Sequence, residues 1–170
     1  MTAAGMLARQ LTATIDAIAM INEELEALAS RQRDAMRRVD ADAVAGVTTA
    51  QRAAGEQLGG LEIERRRQAV ALASALGVGA HWSLEDLSGA LRALDADAAD
   101  ALDAAAARAR SAVLAAQRRQ RVVQAAASGL MAHLDGLARQ VAARVSQAGT
   151  YAATGAIVTT STAMGVDLVS

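Results

Sequence analysis

The side chains in this chain that could do chemistry are few and far apart. Two histidines are present, His81 and His133, and there is no cysteine. His81 lies in the glycine-rich stretch Gly77-Val78-Gly79-Ala80-His81, and His133 lies between Leu130 and Leu134. Without thiolates, a zinc site would need aspartate or glutamate ligands, and none stands at ligand spacing beside either histidine. No glycine-rich phosphate loop, Gly-x-Ser-x-Gly elbow or His-Glu-x-x-His pair occurs. The residues therefore point to no enzyme: no catalytic residue, no metal and no cofactor. Arginines cluster at 31–38, 65–67 and 118–121, interleaved with acids or glutamines on stretches of helical spacing. Solvated helix faces are the plain reading of these clusters, and a docking patch for an acidic partner is the alternative. Tyr151, the single tyrosine, follows the last strong apolar position and is flanked by Gly149 and Gly155. Tyrosine is enriched at binding hot spots, so Tyr151 reads either as an interaction anchor or as a simple packing residue.

The elements that must carry these groups are helices. The chain has no proline, which removes the strongest helix breaker. Its apolar fraction of 53% is about half alanine, which favours helix but buries little area per residue. A first seam runs through Leu7, Leu11, Thr14, Ile18, Ile21, Leu25, Leu28, Gln32, Ala35 and Val39 in alternating steps of four and three, a coiled-coil-like packing line. Asp40 and Asp42 interrupt it, and either can cap a new helix. A weaker seam follows through Val44, Val47, Gln51, Ala54, Leu58, Leu61, Arg65, Gln68 and Leu72. Gly59 and Gly60 lie inside it, each costing about 1 kcal/mol relative to alanine. Ser83 is the N-cap of a short helix with the stripe Leu84, Leu87, Leu91 and Leu94, and Trp82 staples that helix onto the long ones. A last long seam runs from Leu102 through Val113, Val123, Leu130, Leu134 and Leu137 to Val141.

The spacing thus predicts an all-α chain: helices over 4–39, 42–76 and 98–146, and a short one over 84–94. The expected architecture is an elongated antiparallel bundle of three long helices plus a short one, spanning 1–146, with a flexible C-terminal recognition tail over 147–170. All 17 basic residues are arginine, and the net charge of −1 argues against nucleic-acid binding by bulk electrostatics. No apolar run is long enough for a membrane span. The sequence starts without a basic leader region, which makes the cytoplasm the expected location.

These elements, in this order, resemble the FlgN family of flagellar export chaperones over most of the chain. The resemblance rests on the aliphatic first helix from Leu11 to Leu28, the turn Val39-Asp40-Ala41-Asp42, and Glu62-Ile63-Glu64-Arg65-Arg66 followed by Leu76-Gly77. It continues through His81-Trp82-Ser83-Leu84 and Gln117-Arg118-Arg119-Gln120, and closes on Tyr151-Ala152-Ala153-Thr154-Gly155. It implies a small all-helical cytoplasmic protein that holds flagellar hook-associated proteins, the hook–filament junction subunits, before export through the flagellar type III apparatus. It also implies components of the export gate or its ATPase as partners. On that reading the expected cargo or gate contacts are Leu130, Leu134, Leu137, Val141, Tyr151 and Gly155, with the terminal helix of the cargo laid on the last helix. The alternative is a structural coiled-coil or phasin-like surface-coating bundle without dedicated cargo, which needs the same seams but not the tyrosine-bearing tail. The seams also permit a homo-oligomer.

Overall fold

A computed structural model describes residues 2–79 and 81–148, the last three as backbone only. Four helices account for nearly all of them: α1 (Ala3–Arg37), α2 (Ala41–Leu76), α3 (Leu84–Arg92) and α4 (Ala96–Ala148). The bounds fall within two residues of those expected from the seams, and there is no strand among the described residues. The chain divides into two compact units, 1–126 and 127–170. The expected tail over 147–170 lies outside the described residues, apart from the backbone of Gln147 and Ala148.

In the first unit, α1 runs up, α2 runs down beside it, and the first part of α4 runs up again. Ion pairs fix the register of α1 against α4: Asp16 with Arg108 at 2.7 Å and Glu26 with Arg119 at 3.5 Å. Both numbers rise together, so these two helices are parallel, and α2 is antiparallel to both. The buried cluster that joins them draws on Ala4, Ala8, Leu11 and Ile15 of α1 and on Ala69, Leu72 and Ala73 of α2. Leu87 and Leu91 of α3 and Ala98, Ala99, Leu102 and Ala105 of α4 complete it. Trp82 and Leu84 pack against this cluster, so the tryptophan does fasten the short helix to the long ones. The alanine-rich start of α4 supplies small side chains where it meets α1, which permits close approach of the two backbones.

The breaks between helices have definite chemical causes. Asp40 caps α2, its Oδ1 accepting from the Ala43 N–H at 3.0 Å. The same residue closes α1, its N–H donating to the Ala35 carbonyl at 3.1 Å. α2 ends with the matching bond from the Val78 N–H to the Ala73 carbonyl, across Gly77 at φ 66°. Glycine is the usual residue for that left-handed position. The equivalent position after α1 is Val39, at φ 56°. The seam places Val39 on the packing line, but the turn bends it away and it is 84% exposed. Ser83 and Asp86 form a reciprocal capping box on α3, as the sequence anticipates for Ser83. Helix α3 stops at Arg92, two residues short of its expected end, so Leu94 leaves the stripe and is exposed. Asp95 caps α4 by accepting from the Ala98 N–H at 3.1 Å. Its other oxygen lies where a Cβ on Gly5 would meet it at 3.0 Å, so the chain start must be slim there.

Candidate functional site

The residues expected to meet a partner divide between the described and undescribed parts of the chain. Leu130, Leu134, Leu137 and Val141 lie on α4 in the second unit. They are 40%, 54%, 43% and 61% exposed, in that order. At 100° per residue these four fall within an arc of about 60° on the helix, and Val145 and Met131, also exposed, widen it to about 120°. This is an apolar face with helical periodicity, left largely in water. Tyr151 and Gly155 lie outside the described residues. His133 borders this face, about 40° around the helix from Leu137, and among the described residues no group of three potential metal ligands stands together.

A second feature belongs to the first unit and was not anticipated. Beyond the buried cluster, α2 and α4 part over the middle of α1 and leave a groove. One section, of about 530 Å³, is lined by Ile18, Asn22, Leu25, Leu58, Val113 and Gln117, among others. The adjoining section, of about 710 Å³, shares Ile18, Glu62, Val113 and Gln117 and reaches Ser83 and Leu84 at the start of α3. Leu25, Leu58 and Val113 are seam positions, yet each is only half buried. A one-dimensional seam says which side chains face inward; it cannot say whether the two facing helices close over them. The polar exceptions in the seams carried a usable signal. Gln32 and Gln51 meet across the α1–α2 interface, Gln51 Nε2 donating to Gln32 Oε1 at 3.0 Å.

The electrostatics near α3 are those of a clasp. Arg92 bridges Asp100 at 2.8 Å and Asp103 at 2.9 Å, tying the end of α3 to α4. The Asp103 carboxyl is held below the ordinary aspartate value of 3.8, first by the adjacent Ser88 hydroxyl and then by the Arg92 guanidinium. The Ser88 hydroxyl is buried without a hydrogen bond of ordinary length and angle, so its influence on Asp103 is one of proximity. Asp86 is likewise lowered, chiefly by the backbone N–H of Ser83 and then by its hydroxyl. On α2, Glu64 is lowered first by its hydrogen bond from Arg67. These are helix-fastening groups. Among the arginine clusters, Arg33 pairs with Asp34, Arg65 with Glu62, Arg67 with Glu64 and Arg119 with Glu26. Paired helix faces therefore account for four of the ten arginines in these clusters.

A bundle of amphipathic helices with an exposed apolar face and a half-open groove is the form of a protein that holds another protein. The model of the FlgN protein family matches residues 1–159, nearly the whole chain, and the chain belongs to that family. It is a family of flagellar export chaperones, non-enzymatic proteins that bind flagellar hook-associated proteins. No curated protein and no solved structure gave a significant match. No helix among the described residues is long and apolar enough to cross a membrane.

Proposed function

We propose that this protein is a cytoplasmic chaperone that binds a terminal helix of flagellar hook–filament junction proteins, prevents their premature assembly and delivers them to the type III export apparatus. The observation that carries the reading is the apolar face Leu130, Leu134, Leu137 and Val141, which is about half in water although a helix normally turns such a face toward a partner. An amphipathic cargo helix laid along it would cover both apolar faces at once, the helix-in-groove mode of recognition. Covering the cargo helix would also hide the surface with which that subunit polymerises. Tyr151 and Gly155 are assigned to recognition of the cargo or of the export gate, with the segment over 147–170 as the recognition element. Calorimetric titration of the full chain with purified hook–filament junction subunits tests the reading. Saturable binding that is lost when the terminal helix of the subunit is deleted is the expected result. Equal binding of the truncated subunit would refute it.

A further inference from the structure

The second unit's part of α4 stands open on all sides. Each described residue from 128 to 145 except Gly136 is exposed. A lone helix of this length is marginal in water, and Gly129 and Gly136 weaken it further. Two properties of its apolar face restrict what can cover it. Leu130, Leu134, Leu137 and Val141 step by four, three and four, and the steps are the same read backward, over about 17 Å of helix. The borders of the face carry little charge: Met131, Ala138 and Val145 on one side, His133, Gln140 and Arg144 on the other.

The chain itself supplies a segment of that description. Residues 149–170 follow α4 and lie outside the described residues. In their sequence Ile157, Ser161, Met164 and Leu168 also step by four, three and four, a stripe of the same length on a helix. Laid antiparallel, the two stripes match layer by layer: Ile157 on Val141, Ser161 on Leu137, Met164 on Leu134 and Leu168 on Leu130. Residues 149–156 have to bring the chain from Ala148 back to the level of Val141, about 11 Å along the axis, well within their reach. Charge agrees with this pairing. Asp167 is the one charged side chain among residues 149–170. On a helix it borders the stripe on the side that meets His133, about 3 Å along the axis from it. Thr159, Thr160, Thr162 and Gly165 give the segment poor helix propensity, so it needs the face to become helical and yields to a stronger helix.

We infer that residues 157–168 of this chain occupy the face Leu130, Leu134, Leu137 and Val141 when no cargo is bound, as an antiparallel helix that a cargo helix displaces. The tether through residues 149–156 holds the segment at a high effective concentration, so the cover does not depend on how concentrated the protein is. While closed, the cover lowers the apparent affinity for cargo in proportion to the fraction of time the face is open. Tyr151 and Gly155 precede the segment and take no part in it. The identity of what displaces the cover rests on the chaperone reading above; the cover itself does not.

The test compares the full chain, free of cargo, with a chain cut after Gly155, by hydrogen exchange read over residues 130–145. These amides should exchange at least about fivefold more slowly in the full chain. Met164→Asp with Leu168→Asp in the full chain should lose that protection. Val166→Asp, on the opposite side of the segment's helix, should keep it. In calorimetry the cut chain should bind a purified hook–filament junction subunit about fivefold more tightly than the full chain. Equal exchange in the full and cut chains, or equal loss from Val166→Asp, overturns the cover. Protection that grows with chain concentration assigns the face to the segment of a second copy and overturns it as well. Weaker binding by the cut chain overturns displacement by cargo. Protection that is lost on cutting, with no binding of any junction subunit by either chain, supports the cover and overturns the chaperone reading alone.

Discussion

Leu134 and Leu102 are the same residue type on the same helix, and their substitution by alanine should separate folding from recognition. Leu102 is fully buried in the cluster of the first unit, whereas Leu134 is 54% exposed. Truncating a buried leucine costs about 2–5 kcal/mol from lost transfer energy and the cavity left behind. Leu134 has removed less than half of its surface from water. Scaling full burial of about 1.5–3 kcal/mol by that share leaves about 1 kcal/mol for Leu134→Ala. In a domain of this size, about 1 kcal/mol lowers the melting temperature by about 2–4 °C, and Leu102→Ala should lower it several times more. The remaining half of Leu134 is the part a partner would cover. Its burial is worth about 1 kcal/mol, so affinity for a junction subunit should fall five- to tenfold, about the ratio that energy sets. Thermal melts by circular dichroism and calorimetric titration read both quantities on one preparation. If Leu134→Ala melts as early as Leu102→Ala and the folded variant binds as before, then the residue packs inside the molecule and the apolar face is not a docking face.

Three further outcomes are expected. Tyr151→Ala should leave the melting temperature nearly unchanged and weaken binding to cargo or to the export gate on the order of thirtyfold, a hot-spot loss of about 2 kcal/mol; unaltered affinity with several degrees of lost stability would make the residue structural. Val39→Gly should stabilise the chain by about 0.5–1 kcal/mol in denaturant unfolding, because the left-handed backbone strains a β-branched residue by more than the added glycine entropy costs and little burial is lost. Stability should also fall in acid with a definite sign: the Asp103 and Asp86 carboxyls titrate below 3.8 in the folded protein, so their contribution is present above that value and is lost as the pH falls below it. In melts at a series of pH values, Asp103→Asn should reduce that acid-induced loss; an identical acid profile would show that the clasp does not respond to protonation.

The helices and most of their ends were legible in the sequence because they depend on local chemistry. The aspartate at 40 and the serine at 83 fix starts wherever the rest of the chain lies, and the glycine at 77 fixes a stop. The end of α1 was less legible, since nothing in the residue type of Val39 announces a left-handed turn; only the bond from Asp40 back to Ala35 reveals it. The side-by-side parallel run of α1 and α4 was not legible either. It depends on pairs such as Asp16 with Arg108, separated by most of the chain, which periodicity cannot match. The apolar face at Leu130–Val141 was legible as part of the last seam, because its large aliphatics recur at helical spacing within one helix. The groove was not, because Leu25, Leu58 and Val113 look like ordinary core residues until the spacing between two helices is known.

The placement of the buried cluster has a consequence for how the first unit moves. Leu11, Leu72, Leu87, Leu91 and Leu102, all fully buried, gather at the end where α1 starts and α2 finishes. At the other end, toward the α1–α2 turn, the buried large side chains are fewer, Ile21, Leu28 and Val123 among alanines, with one glutamine pair and the bridge from Glu26 to Arg119. Resistance to opening therefore declines along the bundle axis, as local unfolding free energies do wherever buried apolar area thins out. The unit behaves like a clothes peg, with its spring at the leucine end and its jaws at the turn. The walls of the groove can part there without disturbing the cluster, so the jaw end can open while the leucine end stays folded.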